Sequence, residues 1–193
     1  MFDIVVAADL DWGIGKTNGL PWPKLKGDLA HFKRITSTAP EGMRNAVFMG
    51  RKTFDSAEVQ RRALPRRLNV IISRGAQELP DGVLGAASID DALVVIERVS
   101  GTAAAATMAV DSTAPAAHPI ASSFCVGGAQ IFREALEHAA LRYVYLTRVQ
   151  GRFGCDVQIP DVDALGFKQT RWDGESDAEE NGVRYRIERL ARG

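Results

Sequence analysis

Cysteine is almost missing from this chain, with Cys125 and Cys155 the only two among 193 residues. Two thiols cannot build a disulfide framework, and their spacing does not resemble a metal knuckle, so a reducing, cytoplasmic setting is expected. An excess of charge of either sign is missing too. Lys plus Arg is 24 and Asp plus Glu is 24, a formal net charge of 0. No global basic field exists to hold nucleic acid or a membrane surface, and any anion site must be local. Histidine is scarce: His31, His118 and His138 have no carboxylate or cysteine at ligand spacing, so no metal site is expected.

Long apolar runs are absent as well. The longest stretch without Asp, Glu, Lys or Arg, Ser112 to Phe132, is broken by Pro115, Pro119, Gly127 and Gly128, which excludes a membrane helix there. Met1-Phe2-Asp3-Ile4 lacks the basic and apolar regions of a secretion signal, so none is expected. What remains is 46% hydrophobic and 25% charged, the composition of an ordinary globular protein. The length suits a single domain over 1–193.

Phe2 to Ala8 is a short run rich in Val and Ile, as expected of a strand buried on both faces. Asp9 to Gly27 carries three glycines before Pro21 and Pro23, so the spacing predicts a mobile functional loop with no regular element. Leu29, Phe32 and Ile35 recur at helical spacing from Asp28 onward. Further strands are predicted over Asn45–Met49, Leu68–Ser73, Ser123–Val126 and Leu141–Val149, with helices over Thr53–Val59, Ser88–Val99 and Gly128–Ala139. Gly101 to Ser122 is rich in Ala, Ser and Thr and reads as a flexible insertion. Phe167–Trp172 and Val183–Leu190, on either side of Asn181-Gly182, carry a hairpin signal. The fold class is therefore α/β: a central mixed, mostly parallel twisted sheet flanked by helices and ending in an antiparallel C-terminal hairpin.

Asp28 opens a helix on the same side as Leu29, Phe32 and Ile35. It is either a cap for free backbone N–H groups or a carboxylate in an apolar cleft able to grip an amidine-like ring through two parallel bonds. Gly50-Arg51-Lys52-Thr53 and Cys125-Val126-Gly127-Gly128 both stand where a strand passes into a helix, a junction that presents backbone N–H groups and a helix dipole to phosphate. Two such junctions suggest a dinucleotide, although the usual G-x-G-x-x-G is absent. Ser73-Arg74 offers a hydroxyl and a guanidinium to a phosphate monoester.

Taken in order, these motifs resemble the dihydrofolate reductase family. The carriers are Ile14-Gly15, Asn18-Gly19-Leu20-Pro21-Trp22, Asp28-Leu29, Phe32-Lys33-Arg34, Met49-Gly50-Arg51-Lys52-Thr53 and Leu64-Pro65 with Arg67 and Asn69. Ser73-Arg74, Val126-Gly127-Gly128, Tyr145-Leu146-Thr147, and Asp156 with Pro160-Asp161 complete the set. The resemblance implies an NADPH-dependent reduction of dihydrofolate. It places Asp28 on the pterin, Thr147 in support, Trp22 on an ordered water and Leu20 beside the reacting rings. Val5, Val6, Leu29, Phe32, Leu64 and Val126 are implied in the substrate slot, with Arg67 on the glutamate carboxylate. Ala7, Ile14, Gly15, Asn18, Gly50, Arg51, Lys52, Thr53, Ile72, Ser73, Arg74, Gly127, Gly128, Ala129, Gln130, Ile131 and Phe132 are implied around NADPH.

The resemblance also implies antifolate binding and a monomer. Departures are Phe132 where Tyr is common, Ala57 for a larger aliphatic residue, Arg66 for Gly, and Ala129 for a third Gly. Two other readings share some of these features: the NADPH-dependent pyrimidine reductase of riboflavin synthesis, and a non-catalytic nucleotide-binding module. Neither calls for Trp22, Asp28 and Thr147 together. The Gly127-Gly128 bond is expected to be cis.

Overall fold

A computed structural model describes residues 1–75, 78–108 and 118–193, with the side chains of 102–108 excepted. The chain runs β1 (Phe2–Ala8), β2 (Gly13–Gly15), α1 (Lys26–Ser37), β3 (Arg44–Gly50), α2 (Arg51–Phe54), β4 (Arg67–Ile72), β5 (Val83–Ala86) and α3 (Ile89–Met108). It continues through β6 (Ile120–Cys125), α4 (Ala129–Glu137), β7 (Leu141–Val149), β8 (Val157–Gln158), β9 (Phe167–Gln169), β10 (Ser176–Glu180) and β11 (Val183–Arg192). The main sheet has the order β10-β11-β7-β1-β6-β3-β4-β5, with β9 pairing the far end of β11. Pairings from β7 through β5 are parallel, and those made by β11 are antiparallel.

The apolar runs of β1 and β3 follow from their place in this order. Alternation sends Phe2, Ile4, Val6, Ala46 and Phe48 to one face of the sheet and Val5, Val47 and Met49 to the other. Both faces are covered, so both sets of side chains are buried. A third apolar group, with Trp22, Leu25, Val149, Tyr185 and Ile187, packs where the C-terminal strands meet the start of α1.

Several boundaries differ from the sequence expectation, each for a tertiary reason. Helix α1 starts at Lys26, before Asp28, because the Glu180 carboxylate on β10 accepts the N–H groups of Lys26 (2.6 Å) and Gly27 (2.8 Å). Helix α2 ends at Phe54 instead of running to Val59. The next backbone groups turn to other partners, the N–H of Ala57 donating to the carbonyl of Asn18 at 3.2 Å. Ser88 caps α3 through the N–H of Asp91 at 3.0 Å, but the helix continues past Val99 to Met108. The expected insertion therefore opens as helix, consistent with alanine's high helix propensity. Its end is also structured, since β6 begins at Ile120, and 109–117 lie outside the described residues.

The loop after β1 contains more order than expected. β2 pairs antiparallel with β8, and Lys16 and Gly19 exchange backbone bonds around Thr17 and Asn18, whose φ values are 49° and 65°. At the C-terminus, Asn181 (φ 52°) and Gly182 (φ 74°) form the turn of a hairpin, the conformation that favours Asn-Gly. Its first arm is β10, not Phe167–Trp172; the β9 part of that segment pairs with the end of β11.

Candidate active site

A cleft of about 1450 Å³ opens at the carboxyl ends of β1, β3, β4 and β6, where open α/β sheets place their ligands. One end is lined by Val5, Val6, Ala7, Asp28, Leu29, Phe32, Leu64, Val126 and Thr147. The other is lined by Gly50, Arg51, Lys52, Thr53, Ile72, Ser73, Arg74, Gly128, Ala129, Gln130, Ile131 and Phe132, and the loop after β1 contributes Ile14, Gly15, Asn18 and Leu20. Three residues expected in the site lie just behind this lining. Trp22 is buried edge-on against Phe153, Arg67 lies beneath the Phe32 ring, and Gly127 is buried with its carbonyl taken by the N–H of Gly50 at 2.8 Å.

Asp28 is 8% exposed and accepts a hydrogen bond from the Thr147 hydroxyl at 2.7 Å. Thr147 reaches it from β7, which lies beside β1 with Ala7 opposite Thr147. Burial raises the Asp28 pKa above its ordinary value; the Thr147 bond opposes the rise, and the negative charge of Glu180 adds to it. The cap reading of Asp28 fails on this geometry, because Glu180 serves the first N–H groups of α1. Gly27 makes that arrangement possible, since a Cβ there would overlap the Tyr185 hydroxyl. The indole N–H of Trp22 is buried and has no partner among the described residues.

Arg67 donates from Nη1 to the Thr36 hydroxyl at 2.6 Å and from Nε to the Pro65 carbonyl at 3.1 Å. Burial pulls its pKa down, and the neighbouring Arg66 pulls it further. Among the described residues no acidic side chain pairs with Arg67. A fixed guanidinium without an internal anion is suited to a carboxylate arriving on a ligand.

At the opposite end, α2 and α4 begin at Gly50 and Gly128 with no side-chain cap. The first N–H groups of nine-residue α4 are left for an anion. A Cβ on Gly128 would stand 2.7 Å from the Thr53 hydroxyl, and one on Gly50 would stand 3.0 Å from Ile131, so glycine is required for the two strand ends to approach. The Gly127-Gly128 peptide is cis. Exposed Arg51, Lys52 and Arg74 surround this end; Arg51 reaches Asp55 at 3.4 Å, and the Ser73 hydroxyl faces the Gly75 backbone. Free amides ringed by cations fit a phosphorylated dinucleotide.

Two features of the site carry no signal in the sequence. Glu58 lines the cleft and accepts the N–H of Leu20 at 3.0 Å, tying the loop to the far wall. Glu78, Arg61 and Ser56 also line it. No local pattern marks Glu58, because its partner Leu20 lies 38 positions away in the chain.

A family model described as dihydrofolate reductase matches residues 1–192. The chain belongs to the dihydrofolate reductase family. A dihydrofolate reductase from Rattus norvegicus is 32% identical over 189 residues, covering 95% of this chain and 93% of that protein. One from Pneumocystis carinii is 35% identical, covering 88% and 76% respectively. The bifunctional dihydrofolate reductase-thymidylate synthase of Glycine max is 37% identical over 95% of this chain, which spans 32% of that protein. Schistosoma mansoni dihydrofolate reductase superposes with a TM-score of 0.77 at 26% identity, covering 100% of this chain and 98% of that one. Dihydrofolate reductases use NADPH. The pyrimidine reductase and nucleotide-module readings lose their support, since a dihydrofolate reductase match spans nearly the whole chain. Among the described residues, no helix is long and apolar enough to cross a membrane, and no side-chain group could hold a metal ion.

Proposed function

We propose that this chain reduces 7,8-dihydrofolate to 5,6,7,8-tetrahydrofolate with NADPH. The observation that carries the reading is the buried Asp28–Thr147 pair at the inner end of a cleft whose outer end gathers cations and free amides. Asp28, held by Thr147, accepts two parallel bonds from N3 and the 2-amino group of the pterin, which orients the ring. Its negative charge, placed where solvent is excluded, favours protonation of the substrate at N5. Trp22 is assigned the ordered water beside this carboxylate. Leu29, Phe32, Leu64 and Val126 enclose the apolar middle of the substrate, and Arg67 receives its glutamate carboxylate. NADPH, when bound, supplies the hydride that C6 accepts. Gly50, Gly128 and the start of α4 receive its pyrophosphate, while Arg51, Ser73 and Arg74 receive the 2′-phosphate. Ile14 and Leu20 cover the nicotinamide and exclude water.

The same reading makes the protein a monomeric, cytoplasmic enzyme of folate metabolism that binds antifolates in the Asp28 pocket. The deciding experiment follows the NADPH absorbance band after dihydrofolate is added. Steady loss with tetrahydrofolate as product is expected; no loss with fully folded protein overturns the reading.

A further inference from the structure

Asp9 ends the turn of chain that leaves β1 and opens the loop forming one wall of the cleft. Asp9 is 6% exposed, and its carboxylate bonds two separate stretches of the chain. Oδ1 accepts the N–H groups of Asp11 at 3.0 Å and Gly13 at 2.8 Å. Oδ2 accepts the N–H of Phe153 at 3.1 Å and the thiol of Cys155 at 3.3 Å. The first pair shapes the start of the wall loop, and the second belongs to the loop between β7 and β8. Burial alone would raise this acid, but the N–H groups of Phe153, Gly13 and Asp11, together with the Cys155 thiol, bring it below its ordinary value. Burial and the neighbouring carboxylate push the Cys155 thiol up to about 11. At neutral pH the four donors therefore face an ionised acceptor, and hydrogen bonds to a charged partner are the strong kind.

Packing at this junction is close. A Cβ on Gly13 would overlap the Cys155 sulfur and stand 2.9 Å from Asp9 Oδ1. Other links between the two loops are bonds from main-chain N–H groups and two exposed charge contacts. The Leu10 N–H donates to the Gly151 carbonyl at 3.1 Å, the Asp156 N–H to the Gly15 carbonyl at 3.1 Å and the Thr17 N–H to the Asp156 carboxylate at 2.8 Å. The charge contacts are the Arg152–Asp11 ion pair at 3.0 Å and the Lys16 ammonium on the Phe153 carbonyl at 3.0 Å. Exposed pairs of this kind contribute little. Beside these links Asp9 is a buried carboxylate that bonds both loops at once, and the loop that it helps to fasten carries Ile14 and Leu20 into the cleft.

We propose that Asp9 is a positioning residue for the reaction: it fixes the wall loop to the 150–156 loop and so sets where Ile14 and Leu20 stand over the cofactor end. This rests on the reductase reading above. Asp9→Asn is the informative variant. Its amide oxygen still serves Asp11 and Gly13, while its NH₂ turns toward the Phe153 N–H, so the side-chain link between the loops is broken and their main-chain bonds are left in place. Asp9→Ala removes both halves.

Three quantities are measured on the full chain: NADPH affinity by fluorescence titration without substrate, kcat with each KM, and the rate at which a maleimide labels Cys155 in the ligand-free protein. Misplacement of positioning groups costs rate steeply, so Asp9→Asn should weaken NADPH binding and lower kcat/KM for NADPH by about tenfold each. The KM for dihydrofolate should stay within about twofold, and Cys155 labelling should speed up severalfold. If Asp9→Asn lowers Tm but leaves NADPH affinity and kcat within twofold, Asp9 is a stabilising residue only and the proposal fails. If Asp9→Asn does not fold, Gly13→Ala separates the same loops by bulk without touching charge; the same pattern is expected, and unchanged NADPH affinity in its folded form overturns the proposal. A parent that binds NADPH but does not turn over dihydrofolate counts against the reductase reading, while the affinity and labelling ratios still decide on Asp9.

Discussion

Thr147 donates its hydroxyl proton to Asp28 across 119 positions of chain, at 2.7 Å and out of solvent. The bond holds one carboxylate oxygen and leaves the other free to face the cleft. It also opposes, without cancelling, the effect of burial on the acid.

Asp28→Asn should fold, retain NADPH binding and lose about 10²- to 10⁴-fold in kcat/KM for dihydrofolate at neutral pH. Partial recovery is expected in acid, where solvent protonates the substrate. A variant within a few-fold of the parent at neutral pH would reject the catalytic role. The same substitution should raise Tm at neutral pH. A carboxyl whose pKa is higher in the folded state binds protons more tightly there, so stability falls as pH rises from the ordinary value of 3.8 through the raised one. Asparagine removes that loss, and thermal scans of both proteins across this window check it.

NADPH should be preferred over NADH by at least about tenfold in kcat/KM. Arg51, Ser73 and Arg74 supply charge-assisted bonds of about 1.5 to 3 kcal/mol each to a 2′-phosphate in the folded cleft. Replacing Arg74 with Ala should shrink the preference without changing the KM for dihydrofolate. Equal efficiency with both cofactors in the parent would sink the assignment.

Gly128→Ala should weaken NADPH binding by about tenfold or more, in keeping with the roughly 1 to 3 kcal/mol typical of added bulk in a packed site. The new methyl group would press on the Thr53 hydroxyl. Combining it with Thr53→Ala should restore part of the affinity in a fluorescence titration. Undiminished affinity in the single variant would show that the strand ends have room to spare.

Glu180→Ala should lower Tm at neutral pH and flatten the acid limb of the stability curve. Its carboxylate is held below the ordinary value of 4.5 by the Tyr185 hydroxyl and then by the N–H of Gly27. A depressed acid stabilises the fold above its unfolded pKa, and that contribution disappears as the pH falls through the lower folded value. Parallel curves for both proteins through this range would refute the cap.

The strands β1, β3 and β7 are legible in the sequence because burial on both faces, or strict adjacency to such strands, leaves a dense apolar signature in a few consecutive residues. The cleft is legible at its strand ends, where Gly50, Gly128 and Asp28 each combine a special residue with a predictable junction. Contacts that join distant positions leave no such signature. Glu180 looks like one more charge on a polar strand until β10 brings it to the front of α1. Ala57 looks helical until its N–H is claimed by Asn18. The Ala-rich segment shows the opposite error: a scarcity of bulky apolar side chains reads as lack of structure, yet its first residues extend α3 and its last begin β6. A deletion of 101–122 would therefore cut into both elements.

The outermost strand, β10, reads Ser-Asp-Ala-Glu-Glu, and its free side is an open row of backbone donors and acceptors. Such an edge invites another sheet to join it, and charge is one common deterrent. While Glu180 holds the front of α1, its neighbours Asp177 and Glu179, with Arg186 and Arg184 opposite them on β11, keep the border of the sheet charged and hydrated. In acid, protonation of Glu180 releases the front of α1, so the border strand and the first helix lose their join together.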